Sequence, residues 1–571
     1  MHASPPSLEQ PIEARTLWTS HAWTNLPVVE FMEAWDIIVV GDGPAALRAA
    51  AAAAKQGAST LMVAVNALGS VNNAGREGLA ASIQESNNRG HREDTIRNGA
   101  FLNDQDIVAM RTGEAVRTLD LLERWGVNFR RDATGLPDVS KAMSHGKPRV
   151  ADAGDATARE VQKTLEEQCM RHGVVRRGDH LPLGLIHSNQ TVHGLTVADM
   201  INGRILSIQA KAVILADEGF EGVITHGSIG VGMDLALRAG IPLRNMEFLN
   251  RSPLGLVDTT MVLPTGLLSA GATLHEANGS DLDLGDETVA SVCEAVQSAK
   301  QAVLDARHLG DSSSWWSGVF RSVAQRTGID MSKQTVGIEV RPTLSIGGIP
   351  VDEHGRAING AWSRWFTGMY AAGGAACSGI HGTQSMPGNQ LLDALCGGHA
   401  AGEHAGEWVQ NRSLGGSSLA AEEEQRAQSD FSALCGPHDG AVVRIGAVAT
   451  KLQEAAKDAM LGSRNAGSLA NSIETLESLG VMAESIHLDQ DSLIANTNLV
   501  EISRIQSGIR LTLAAAQSAL VREESRGSHV RSDFPEQDEA FLHHTTVDQM
   551  GSTSTLGLRK GSTGNWVLPP Q

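Results

Sequence analysis

A short apolar run, Trp35-Asp36-Ile37-Ile38-Val39-Val40, leads directly into Gly41-Asp42-Gly43-Pro44-Ala45-Ala46 and an alanine-rich stretch from Leu47 to about Gln56. Gly57 and a second apolar run, Thr60 to Val65, follow. The order is strand, glycine turn, helix, strand, with GxGxxA at the first turn. In that context the motif means dinucleotide binding and an α/β fold with parallel strands. Gly41 permits the tight turn, Gly43 lets a pyrophosphate approach the backbone, and Ala46 stands for the third glycine at the helix–strand contact. The second strand ends in Ala64-Val65-Asn66. No acidic residue is there to take a ribose, so recognition departs from the usual nicotinamide pattern.

Roughly 330 residues downstream, Tyr370 to His404 forms a second glycine-rich segment. Small residues, Ala371 to Ala376, close a strand end. The chain then turns through Gly382, Pro387 and Gly388 into a helix that starts near Asn389-Gln390-Leu391-Leu392. Glycine-rich backbone entering a helix N-terminus offers free N–H groups to a polar ring or phosphate. By itself this segment reads equally well as a loop packing a helix on a sheet. The upstream motif favours the nucleotide.

At 571 residues the chain has room for roughly two to four domains. Its apolar (41%) and charged (19%) contents are those of a globular protein. A formal charge of −19 argues against a nucleic-acid surface, though a local arginine cluster would still serve a small anionic substrate. Cys169, Cys293, Cys377, Cys396 and Cys435 are scattered and form no CxxC pair, which points to a reducing compartment and a cytoplasmic protein. Residues 1–34 carry Glu9, Glu13, Glu30 and Glu33 without an apolar run, so neither a signal peptide nor a membrane span is expected there.

Further pieces are specific: His91/Asp94-Thr95, Leu102/Asp104-Gln105-Asp106, WGVNFRR, RAGIPLRNMEF, SIGGIPVDEHG and, near the C-terminus, REESRGSHVRSDFPEQDEAFLHH. Together with the two glycine segments they make residues 35 to about 547 resemble the flavoprotein subunit of succinate dehydrogenase and fumarate reductase, with L-aspartate oxidase a near relative. The resemblance implies a Rossmann-like FAD-binding domain in two parts, 35–245 and 345–412. It also implies an inserted α+β capping domain at 246–344, a C-terminal helical domain at 413–535 and a tail at 536–571. Residues 1–34 would be an extension. Apolar periodicity independently predicts helices over 441–461, 466–479 and 498–525, and leaves 308–335 unassigned. Leu119 to Trp125 reads as the end of an amphipathic helix stopped by Gly126, with Asp104-Gln105-Asp106 capping a helix start. The run from Arg522 to Arg526 has two readings, a solvated face or packing against the flavin domain.

The same resemblance assigns the site. FAD contacts fall on Gly41, Gly43, Pro44, Ala45, Ala46, Ala64, Ser70, Asn72, Asn73, Gly78, Gly373, Gly374, Asn389, Leu391 and Leu392. Asn72 occupies the place of the histidine that joins the flavin covalently, which implies noncovalent FAD. In the family, arginines and histidines hold a dicarboxylate and an arginine moves the proton. The catalytic positions here carry Ser252, Thr265, Asp286, Thr343 and Ser385, and no lysine or arginine occurs from Ser252 to Ala299. Asp217 and Glu218 replace small neutral residues near the pyrophosphate and are expected to turn outward, since buried acids there are unfavourable. Arg149 offers one carboxylate contact; His145 and His381 are candidate site histidines, and no metal-type cluster is present. Three readings follow: an FAD oxidoreductase of the succinate/fumarate class with its small-molecule substrate left open, a catalytically silent structural or regulatory subunit, or an oxidase for a neutral or cationic substrate that meets the acidic cap (Asp281, Asp283, Asp286, Glu287). Implied partners are an iron–sulfur subunit and membrane-anchor subunits, which would bring the chain to the inner face of the cytoplasmic membrane without direct insertion.

Overall fold

The computed structural model describes residues 32–69, 75–83, 88–225, 227, 229–359, 364–436 and 443–570. The expected N-terminal extension lies almost wholly outside them. The parallel centre of the main sheet runs, in spatial order, Val175–Arg177, Thr60–Val63, Ala34–Val40, Arg204–Leu215 and Trp365–Ala371. Ile37 sits between Thr60 and Ala212 in this register, and Ile37, Ile38 and Val39 are fully buried. A strand segment covered on both faces is apolar throughout, as Ile37 to Val40 is. His180–Ser188 and Thr191–Asp199 extend the sheet antiparallel.

Two helices cover the nucleotide end. The first, Pro44–Lys55, starts three residues before its apolar pattern because Pro44 suits the first helical position and Gly43 is extended. The second, Asn389–Trp408, starts at Gly388, whose φ of +83° is left-handed and whose hypothetical Cβ would lie 2.6 Å from Ala80 N. They pack along a small-residue seam. A side chain on Gly398 or Gly402 would overlap the carbonyl of Ala45 or Ala49, and one on Gly406 would come within 3.0 Å of Ala53 O.

Residues 249–345 hold a separate four-stranded antiparallel sheet, in the order Leu249–Leu256, Val336–Ser345, Ala302–Asp305 and Thr273–Glu276. Leu254, Val292, Trp316, Val323 and Ile338 form its core. Within 308–335 the chain makes a 3-10 turn, Gly310–Trp316, and the helix Ser317–Thr327. Sequence periodicity misses this helix because only Val319 and Val323 on it are buried. Helices Ser417–Cys435, Ile445–Met460, Ala466–Ala483 and Thr497–Val521 follow.

The Arg522 run packs inside. Arg522 and Glu524 are fully buried, with Arg522 donating to Glu247 at 2.7 Å and to Glu524 at 2.9 Å. Asp104 holds the N-cap position of the helix Gln105–Trp125, yet makes no side-chain cap. Its carboxylate instead accepts from Arg244 (3.0 Å) and pairs with His544 (3.1 Å). The tail is bound in as well: His544–Val547 pairs with both Leu243–Arg244 and Thr553–Leu556.

The helix seam generates a test. Gly402→Val should cost about 3 kcal/mol by overpacking, read as a lower denaturant midpoint together with lost flavin. An exposed control, Gly446→Ala, should not, since its hypothetical Cβ meets nothing within 4 Å. Equal midpoints for the two variants would refute the seam.

Candidate active site

A cavity of about 540 Å³ opens at the carboxyl ends of the parallel strands, where the two helix N-termini converge. Gly43-Pro44-Ala45, Ala216-Asp217-Glu218 and Gly373-Gly374 line it. Backbone approaches fix its shape. A hypothetical Cβ on Gly41 (φ +123°) would lie 2.6 Å from Ala216 O, one on Gly373 (φ +63°) 2.6 Å from Ala45 Cβ, and one on Gly374 2.8 Å from Gly219 N. The first turn of Pro44–Lys55 carries no acid and its N-cap, Gly43, makes no side-chain bond, so its free N–H groups and dipole are left for an anion. A smaller extension runs past Gly41, Asp42, Ala64 and Asn66.

Of the expected cofactor contacts, Gly41, Gly43, Pro44, Ala45, Ala64, Gly373 and Gly374 therefore face these cavities. Ala46, Leu391 and Leu392 lie in the core beneath. Asn389 is buried behind its helix start, bonded to His91 (2.8 Å) and Thr95 (3.0 Å). Gly78 packs against the Ala151 carbonyl, 2.6 Å from its hypothetical Cβ. Ser70, Asn72 and Asn73 lie outside the described residues. Gln390, Asp393 and His381 also line the main cavity, although sequence reasoning did not place the first two there. His381 sits 3.8 Å from Asp393, and burial keeps its imidazole below the ordinary pKa.

An adjoining cavity of about 30 Å³ shares Arg76, Thr343 and Gln390 with the large one. It brings together four of the five mapped catalytic positions, Ser252, Thr265, Thr343 and Ser385. Asp286 is not among them; it is exposed on a turn, accepting from Thr288 N at 3.3 Å. The converging polar groups are tied to protein. Asn250 Nδ2 donates to Thr343 Oγ1 and Asn250 Oδ1 accepts from Ser385 N, both at 3.0 Å. Thr265 N donates to Glu77 at 3.0 Å, and Thr265 Oγ1 donates to the same carboxylate. The mapped positions are neutral, but cations enter from other segments: Arg76 and Arg251 both line the small cavity. Arg149 does not. It is buried against Asp94 (2.6 Å) and His145 (3.1 Å), while His145 Nε2 meets Pro387 O at 2.9 Å. Among the described residues, no three His, Cys, Asp or Glu side chains gather as a metal site.

Residues 36–391 match the FAD binding domain family, and residues 449–571 the fumarate reductase flavoprotein C-terminal family. The chain belongs to the succinate dehydrogenase/fumarate reductase flavoprotein family. It is 30% identical to the fumarate reductase flavoprotein subunit of Mycobacterium tuberculosis, covering 90% of this chain and 94% of that one. With the succinate dehydrogenase flavoprotein subunit of Rickettsia bellii the identity is 26%, over 90% and 94% of the two chains. The quinol fumarate reductase subunit FrdA of Escherichia coli superposes with a TM-score of 0.85 at 25% identity, over 95% of this chain and 99% of that one.

FAD is accordingly the cofactor, and the glycine-lined cradle with its open helix N-terminus fits a pyrophosphate. Two acids stand beside this cradle. Asp217 and Glu218 face the cavity, contrary to the expectation that they turn outward. Asp217 accepts from Gly232 N at 2.9 Å through one oxygen, and its other oxygen is buried without a partner. Burial, helped by Asp42, pushes the Asp217 carboxyl up to about 7. Burial with Glu221, Asp42 and Asp217 pushes Glu218 up to about 8. Both hold protons below those values, and a protonated carboxyl donates to phosphate oxygens where a carboxylate repels them. The donors exist only while the two carboxyls are protonated, so this contribution to FAD binding is complete at low pH and disappears as pH rises through 7 to 8. FAD dissociation constants, measured by flavin fluorescence quenching, should rise about tenfold or more from pH 6.5 to pH 9. Asp217→Asn with Glu218→Gln should flatten the profile. An unchanged slope in the double variant contradicts this role for the two acids.

Proposed function

We propose that this flavoprotein is an FAD-dependent oxidoreductase that passes hydride between flavin and a small substrate other than the diacids named for its relatives. The observation that carries the reading is the convergence of Ser252, Thr265, Thr343 and Ser385 on one cavity as neutral residues, the last three engaged by Asn250 and Glu77. A diacid in this cavity forgoes about 1.5–3 kcal/mol for every charge-assisted hydrogen bond that these neutral side chains do not offer it. FAD supplies a two-electron acceptor; the chain's part is to cradle it by backbone and to wall the substrate side with Asn250, Thr343 and Met386. With Asn at position 72 the flavin is held noncovalently, because a carboxamide nitrogen is not the nucleophile an imidazole is.

The relatives are named as flavoprotein subunits, which supports association with an iron–sulfur subunit and membrane-anchor subunits and a place at the inner face of the cytoplasmic membrane. Among the described residues no helix is long and apolar enough to cross a membrane, so membrane contact would pass through those partners. A second reading, a silent structural subunit, draws on the internal bonds that occupy Thr343, Ser385 and Thr265. An oxidase for cationic substrates has less support: Asp281, Asp283, Asp286 and Glu287 are all exposed, and none lines a described cavity.

Purified protein should be yellow, and acid precipitation should release its flavin to the supernatant. Reduced holoprotein mixed anaerobically with fumarate should reoxidise no faster than without it. Flavin that stays in the pellet refutes noncovalent binding, and fast reoxidation by fumarate refutes the altered substrate.

A further inference from the structure

Arg251 is a side chain without an evident structural purpose. It lies on the strand Leu249–Leu256 immediately before Ser252, partly buried, and lines the small cavity with Arg76. No carboxylate among the described residues pairs with it, and its Nε is buried without an acceptor. Its cross-strand partner is Pro342, which has no N–H, and the ladder is irregular on both sides of this pair. The carboxylate that shares its cavity, Glu77, is taken up by Thr265 and Arg76. Arg251 disfavours the charged form of the buried Arg464, so the two cations face one another's field, and it eases ionisation of the buried Cys293 thiol. An arginine held in this way is costly unless something negative joins it.

We propose that Arg251 is the anchor for a single carboxylate, and that the substrate of this site is a short aliphatic monocarboxylate. This rests on the oxidoreductase reading above. The guanidinium fork matches a carboxylate in shape and donors. Arg76 stands on the same cavity but is partly engaged, 3.4 Å from Glu77. Beyond these two arginines the small cavity holds no cation among the described residues, and Thr343, Thr265 and the Ser385 hydroxyl are bonded to Asn250, Glu77 and the Met386 carbonyl. A cavity of about 30 Å³ takes the carboxylate head, with Met143, Val289 and Met386 as its apolar wall, and the adjoining cavity of about 540 Å³ has room for the rest of the ligand.

The test titrates FAD-loaded protein with propionate, succinate and propionamide at constant ionic strength, reading thermal midpoint and flavin difference spectrum. Propionate should bind tighter than succinate, and propionamide should bind at least tenfold more weakly. Arg251→Gln should weaken propionate at least tenfold while leaving FAD affinity unchanged. Its ligand-free midpoint should be unchanged or higher, because it removes a charge that faces Arg464; a structural arginine would lower it. Arg251→Lys, which keeps the charge and loses the fork, should fall between the two, and it carries the test if the glutamine variant fails to fold. Equal propionate binding in wild type and variants overturns the proposal, as does tighter binding of succinate. If the protein holds no flavin, yet propionate still raises the midpoint through Arg251, the oxidoreductase reading fails and the anchor stands. If flavin is bound and active on other substrates while propionate is ignored, the anchor alone fails.

Discussion

The close approach of two helices at a seam without side chains governs this molecule. Gly398, Gly402 and Gly406 on one helix meet Ala45, Ala49 and Ala53 on the other, so that backbone rests on backbone. That packing brings Gly43 and Gly373-Gly374 within reach of each other across one cavity. Any larger residue along the seam would separate the helices and open the cradle. The glycines at Gly41, Gly373 and Gly388 complete the arrangement with positive φ angles and approaches too short for a Cβ. Recognition built this way depends on chain path more than on side-chain identity. This explains how the cradle persists in a family member at 26–30% identity to its relatives.

Side chains add their own chemistry around that frame. On the nucleotide side, Asp217 and Glu218 line the cavity, and burial keeps them protonated near neutrality. On the substrate side, neutral residues stand at the mapped positions, Thr343 and Ser385 bonded to Asn250 and Thr265 to Glu77, while Arg251 precedes Ser252 on its strand. Buried charges elsewhere are held by protein groups: Arg522 by Glu247 and Glu524, Arg244 by Asp104, and Arg464 by His529 and the Glu247 carbonyl. Arg251, which no carboxylate among the described residues joins, instead lines a cavity.

Local signals in the sequence suffice for the dinucleotide turn, the helix starting at Asn389 and the last three long helices, though not for Ser417–Cys435, because each of those is fixed by residues close together in the chain. Gly126 closes its helix with φ +112°, as a glycine at that place predicts. What could not be read depends on distant partners. Arg522 finds Glu247 across 275 residues, so its run looks like a solvated face until the fold is known. Asp104 sits at a helix cap by position, but its partners Arg244 and His544 come from far along the chain. The inward course of Asp217 and Glu218 follows from the strand end and the Gly232 N–H, neither of which has a sequence signature. Arg76 and Arg251 were missed because mapping onto family positions asks what replaced each ligand, whereas these arginines come from neighbouring places.

The central claim is that backbone and helix N-termini, rather than opposite charge, hold the flavin. The salt dependence of FAD affinity tests it most directly, measured at pH 6.5 from 0.05 to 0.5 M sodium chloride. The account predicts a dissociation constant that changes by less than about threefold, because buried N–H contacts are little screened. A loss of affinity of about tenfold or more over that range would contradict it, showing that long-range attraction to cationic side chains carries the binding instead.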